Sequence, residues 1–145
     1  ITNSTVSGCS AGGGGVVSAY QNRVDPAVLL AGSTVTDCSA ESGGVVLAVE
    51  SGAVSIIKST VTNCSASASE SGGGVVSAWD SGAVSIIGSR MTGCSAGFRG
   101  GATFTWKSDL IVTDSAISGC NSTRGGAMYV ASGSASLARS SISNC

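Results

Sequence analysis

Six cysteines cut this chain into nearly equal lengths, and each closes the same short phrase of sequence. They stand at Cys9, Cys38, Cys64, Cys94, Cys120 and Cys145, separated by 29, 26, 30, 26 and 25 residues. The phrases read Ser4-Thr-Val-Ser-Gly-Cys9, Ser33-Thr-Val-Thr-Asp-Cys38, Ser59-Thr-Val-Thr-Asn-Cys64, Ser89-Arg-Met-Thr-Gly-Cys94, Ser115-Ala-Ile-Ser-Gly-Cys120 and Ser140-Ser-Ile-Ser-Asn-Cys145. Self-similarity at this period is the signature of stacked structural repeats. Two further landmarks keep the register. A Gly-Gly pair follows each of the first five cysteines, at Gly14, Gly43, Gly73, Gly100 and Gly125 and the glycine after each. An alternating run then offers inward residues at Val28/Leu30, Val54/Ile56, Val84/Ile86, Leu110/Val112 and Ala135/Leu137. The columns differ sharply in composition, which separates them from low-complexity sequence.

Each column has a physical reading. The residue before the cysteine is Gly8, Asp37, Asn63, Gly93, Gly119 or Asn144. Gly, Asn and Asp are the residues that tolerate positive φ, so each repeat is expected to bend there through one left-handed residue. Three before the cysteine stands Val6, Val35, Val61, Met91, Ile117 or Ile142, always apolar and so inward. Between them a Ser or Thr points outward by strand alternation. Ser33 and its equivalents mark a second corner. No segment has helical periodicity, and the single proline, Pro26, lies in a loop. Parallel strands ordinarily need long crossovers. Without helices to supply them, the remaining arrangement is a coil in which each repeat is one turn and like strands stack about 4.8 Å apart. Length varies in two places, after the cysteine (compare 39–42 with 65–72) and after the Gly-Gly strand (20–26). The facing of the Gly-Gly strand stays open, because Trp79 and Trp106 argue for opposite parities.

Gly100-Gly-Ala-Thr-Phe, Gly125-Gly-Ala-Met-Tyr and the apolar-x-x-Cys bends resemble the repeats of right-handed parallel β-helices. They are similar to the GGA-type repeats of chlamydial polymorphic membrane proteins and of pectin-lyase-like surface proteins. The resemblance covers nearly the whole chain. It implies an all-β, right-handed parallel β-helix solenoid of about five rungs of 25–30 residues; because bare terminal rungs are sheet edges that invite pairing, we expect 1–145 to be one segment of a longer solenoid or of an end-to-end stacked filament. Cys stands where those repeats carry Asn, and Val, Ile or Met where they carry Phe. The fold hosts lyases, hydrolases, adhesins and filaments alike, so it names no activity.

Composition narrows the function classes. The 145 residues carry 7 Lys+Arg, 8 Asp+Glu, a net charge of −1 and no His. A nucleic-acid binder would need a clustered basic face. Without His there is no Ser-His-Asp or Cys-His catalysis, and the commonest metal ligand is missing. No apolar stretch reaches bilayer length, and the opening Ile1-Thr2-Asn3-Ser4, with neither a charged nor an apolar run, leads us to expect no leader sequence there. The acids Asp25, Asp37, Asp80, Asp109, Asp114, Glu41, Glu50 and Glu70 scatter over different loops. They give neither a calcium cluster nor a glycosidase pair. We therefore expect no enzyme, no catalytic residue, no cofactor and no metal.

The cysteines lack C-x-x-C spacing, which argues against zinc. Stacked in one column, they form either axial disulfides (Cys9–Cys38, Cys64–Cys94 and Cys120–Cys145, or an offset set) or a ladder of buried inert thiols. The outward hydroxyls, with Thr5, Thr34 and Thr60 beside them, raise an ice-binding reading, which Arg90 and Ala116 interrupt. Sequons at Asn3, Asn63 and Asn121 are candidate N-glycosylation sites, with Asn63 in the bend the least accessible. Trp79, Trp106, Tyr20 and Tyr129 fall near the end of the Gly-Gly strand, as an aromatic track for sugars, a contact to a neighbour, or core ends. The expected protein is an extracellular, cell-surface structural or adhesive glycoprotein. Its partners would be itself or neighbouring rungs, end to end or laterally, and glycans. The alternatives are a polysaccharide-binding or polysaccharide-cleaving β-helix and an ice-binding protein.

Overall fold

One turn of the chain contains four short strands. In the second turn these are Thr34–Thr36, Ser39–Ala40, Val46–Val49 and Val54–Ile57. The computed structural model describes residues 1–69 and 72–145, and among them there is no helix. Every strand pairs in parallel with its equivalent one turn away, giving sheets of 6, 4, 5 and 5 strands in a solenoid of about five turns. We call them, in chain order, the hydroxyl, short, aromatic and aliphatic sheets. Register is preserved throughout: Val35 sits beside Val6 and Val61, and Ile56 beside Leu30 and Ile86.

Three of the four corners turn on a single left-handed residue. Between the hydroxyl and short sheets these are Gly8, Asp37, Asn63, Gly93, Gly119 and Asn144, with φ of 65, 54, 54, 64, 61 and 53°. Between the aliphatic and hydroxyl sheets they are Asn3, Gly32, Lys58, Gly88, Asp114 and Arg139, just before the repeated serine. A third column, Gln21, Glu50, Asp80, Lys107 and Ser132, turns the aromatic sheet into the aliphatic one, with φ of 46–56°. The fourth corner is the Gly-Gly turn. A Cβ on Gly43 would lie 1.9 Å from the Val46 carbonyl oxygen, and one on Gly44 2.0 Å from that of Gly74, so both positions must be bare.

The serines after the second corner form a continuous file. The backbone N–H of Ser33 donates to Ser59 Oγ (3.2 Å), that of Ser59 to Ser89 Oγ (3.1 Å), that of Ser89 to Ser115 Oγ (3.0 Å) and that of Ser115 to Ser140 Oγ (3.1 Å). Each hydroxyl in turn donates to the carbonyl two residues back, as Ser89 does to Ile87 at 2.9 Å. Buried polar groups need such partners. The file satisfies a corner that would otherwise bury unpaired N–H groups.

The core is aliphatic. Val35, Val61, Met91 and Ile117 of the hydroxyl sheet meet Val54, Ile56, Val84, Ile86, Leu110 and Val112 of the aliphatic sheet and Val46, Ala48, Val76 and Ala78 of the aromatic one. The inward run at Ala135 and Leu137 continues the same columns but is exposed. Pairing also fixes the facing that the two tryptophans left undecided. Val76 lies beside Thr103 and Ala78 beside Thr105, while Trp79 lies beside Trp106. Both tryptophans therefore point outward, and Thr103 and Thr105 point in. Their hydroxyls are buried with no partner among the described residues.

Candidate functional site

The outer side of the aromatic sheet is where this chain concentrates unusual side chains. Leu47, Ser77 and Phe104 occupy its first outward column, in register, yet all three are buried. The Gly-Gly turn causes this by folding back over the strand that follows it. The N–H of Gly14 donates to the outward Ser18 Oγ at 2.8 Å. A Cβ on Gly73 would lie 2.7 Å from the Phe104 nitrogen. Phe104 is thus roofed from outside rather than packed in the core. Trp79 meets it with ring centroids 5.0 Å apart and stacks on Trp106 at 6.1 Å; Tyr129 stacks on its other side at 5.9 Å.

Two arginines complete the cluster. The Arg99 guanidinium lies 5.2, 5.8 and 5.3 Å from the Phe98, Phe104 and Tyr129 rings, and that of Arg124 lies 4.8 Å from Phe98. Such contacts are favourable, more so when desolvated. Trp106 is 36 % exposed and Tyr20 59 %. The aromatic residues of the sequence are therefore brought to one face, but stacked along the solenoid axis, so their edges rather than their flat faces meet solvent. Phe98, Arg99 and Arg124 were not singled out by sequence reasoning. The cue would have been their placement just before a Gly-Gly pair.

The carboxylates do not converge. Asp114 holds Arg139 at 2.6 Å, and that partner keeps its carboxyl below the usual range. Asp109 accepts the Ser134 N–H at 2.8 Å and its hydroxyl at 2.7 Å, which lowers it likewise. Asp25 accepts the Ala53 N–H (3.3 Å), Glu50 the Gln21 amide (3.4 Å) and Asp37 the Asn63 amide (3.3 Å). Glu41 borders a shallow hydroxyl-lined groove with Ser10, Ser39, Ser65 and Ser67. Asp80 is a corner residue, and Glu70 lies outside the described residues. No group of three or more potential metal ligands occurs among the described residues.

The cysteines stand in one axial column, all as free thiols. Cys38, Cys64, Cys94 and Cys120 are buried, Cys9 is half-buried and Cys145 exposed. Each Sγ turns back to the carbonyl two residues earlier, at 3.3 Å for Cys38 and 3.4 Å for Cys64. This is the within-turn bond of the serine corner, built with sulfur. Burial pushes Cys38 up and Cys64 up to about 11. Cys94 is raised first by its hydrogen bond with the Cys120 side chain and then by burial, so Cys120 is the member of that pair that ionises first.

The outer face of the hydroxyl sheet aligns Thr5, Thr34, Thr60, Arg90, Ala116 and Ser141 in one column and Ser7, Thr36, Thr62, Thr92, Ser118 and Ser143 in the next. The first hydroxyl column breaks at Arg90 and Ala116, as in the sequence. Asn3, Asn63 and Asn121 are all exposed. Asn63 is thus no less accessible than the others, because the left-handed corner turns its side chain outward. No family model, curated protein or solved structure matches the chain.

Proposed function

We propose that this chain is a building block of an extracellular rod or filament, a structural and adhesive β-helix of a cell-surface appendage, sheath or wall. The observation that carries this reading is the unbroken serine file, which links every turn from Ser33 to Ser140 with the same bond. A solenoid held by repeated nearest-neighbour bonds gains length without needing a new core. The carboxylates support it too: Asp25, Asp37, Glu50, Asp109 and Asp114 are committed to local bonds and Asp80 to a separate corner. The similarity to GGA-type repeats of surface proteins points the same way. Antibodies against the chain, applied to source cells in immunogold electron microscopy, should decorate surface fibres or a wall layer. Label confined to the cell interior would overturn the reading.

A second reading rests on Trp79, Trp106, Tyr129, Arg99 and Arg124. Aromatic edges beside guanidinium groups suit a polysaccharide, the ring edges bordering the sugars and the cations meeting hydroxyl or acidic groups. Trp106→Ala should abolish retention on immobilised cell-wall polysaccharide if this reading holds, and unchanged retention would remove it.

A further inference from the structure

The aliphatic sheet presents solvent with an outer face unlike the others. Its strands Val28–Ala31, Val54–Ile57, Val84–Ile87, Leu110–Thr113 and Ala135–Ala138 are paired without offset. Their outward residues form two columns, Leu29, Ser55, Ser85, Ile111 and Ser136, then Ala31, Ile57, Ile87, Thr113 and Ala138. None of the ten is charged. Leu29, Ile87 and Ile111 are 36, 38 and 38 % exposed. Flat, uncharged sheet faces with large aliphatic side chains are interaction surfaces or liabilities.

The two edges of this face carry the charges, and they are ordered. The corner entering each strand holds Gln21, Glu50, Asp80, Lys107 and Ser132, with Asp109 also on the entering side, directly before Leu110 and held by the Ser134 N–H and hydroxyl; the corner leaving it holds Gly32, Lys58, Gly88, Asp114 and Arg139. Where both corners of one strand are charged, the signs are opposite: Glu50 with Lys58, and Lys107 with Asp114. A second copy related by a two-fold axis parallel to the solenoid axis would place each entering corner against the partner's leaving corner at the same height. Glu50 would then meet the partner's Lys58 and Lys107 the partner's Asp114, each twice by symmetry, while Asp80 would meet Gly88. A two-fold across the solenoid axis also pairs opposite charges, but it sets Asp80 against itself.

We infer that the aliphatic face is a lateral docking surface for a second copy of this chain, aligned in parallel, with Glu50 and Lys58 setting the orientation. This deepens the rod reading and rests on it, since side-by-side pairing is how thin rods gain stiffness. Five strands of four residues span about 24 by 13 Å, or about 300 Å² per copy. A standard interface buries about 800 Å² per partner, so the pair is weak for one chain and strengthens with each added turn. Asp114 is already held by Arg139, which leaves Glu50–Lys58 the cleaner determinant.

Sedimentation of the full chain at low salt, over concentrations reaching millimolar, tests this. The wild type should show a monomer–dimer equilibrium weakened by salt. Ile87→Lys with Ile111→Lys, both outward, should abolish it while leaving the far-ultraviolet circular dichroism unchanged. Glu50→Lys should weaken dimerisation about tenfold or more through like charges at the rim, and adding Lys58→Glu should restore it. Rescue by Lys107→Glu instead would establish the crossed arrangement and overturn ours. A chain monomeric throughout overturns the docking surface but not the rod. Association that persists in the Ile87/Ile111 double variant is end-to-end, and it too retains the rod while removing the lateral pair.

Discussion

The serine and cysteine corners share one backbone device and differ in one atom. Each follows a left-handed residue, and each turns its side chain back to the carbonyl two residues earlier, Ser89 Oγ to Ile87 at 2.9 Å and Cys94 Sγ to Thr92 at 3.5 Å. The hydroxyl also accepts the N–H of the turn before, so the serine corner is bonded along the axis as well as within the turn. In the sulfur column such an N–H bond occurs where Cys120 N donates to Cys145 Sγ at 3.3 Å. A buried hydroxyl without partners costs stability, whereas a thiol is comfortable as a small apolar group. A hydroxyl file is therefore a bonded thread, and a thiol file is packing that happens to be polarisable.

Alkaline titration should separate the two corners most, because thiols ionise there and hydroxyls do not. Burial lifts Cys64 from 9.0 to about 11, and Cys38 and Cys94 are also raised. An unfolded thiol ionises first, so the stability these groups contribute is whole below about pH 9 and is lost as pH rises toward 11. Denaturant midpoints should fall across that window, and less so in Cys64→Ser. A flat profile would mean the column is not buried as thiols.

Single truncations should rank the corners next. Ser89→Ala leaves the Ser59 N–H unpaired, for a loss of about 1–3 kcal/mol in denaturant unfolding. Cys94→Ala removes roughly one methylene's worth of packing, about 1 kcal/mol. A larger loss at Cys94 would break the distinction. The inward threonines offer the converse case, polar groups without the file's partners. Thr103→Val, in a column with Val46 and Val76, should stabilise by about 1 kcal/mol, and destabilisation would reveal a partner for the hydroxyl. Smallest of all, Asn63→Gly should move stability by less than about 0.5 kcal/mol, since the corner needs positive φ more than the exposed amide. Asn63→Val should cost about 1–2 kcal/mol.

These corners also explain what could be read without coordinates. The bend before each cysteine was legible because Gly, Asn and Asp alone fill it, and the second corner because serine repeats after it. The third was invisible: Gln21, Glu50, Asp80, Lys107 and Ser132 have no shared chemistry, and Glu and Lys rarely adopt positive φ. Neighbouring turns impose the conformation there. The stacked, in-register coil followed directly from period and alternation. The aromatic grouping was legible in part, as Trp79, Trp106, Tyr20 and Tyr129 near the end of the Gly-Gly strand, but its centre was not, because Phe104 is apolar, buried and outward at once. Alternation assigns such a residue to the core, and only the folded-back Gly-Gly turn makes the third option possible. The charge order along the aliphatic face was hidden for the same reason as the third corner that carries half of it.

The serine file also has a sense. Every amide in it points toward the higher-numbered turn, while each hydroxyl proton goes to a carbonyl of its own turn, so the thread is an arrow. Two such coils meeting nose to nose would confront donor with donor. Any object extended from this motif must therefore grow with all its units facing one way, and its two tips will differ chemically however many units it contains.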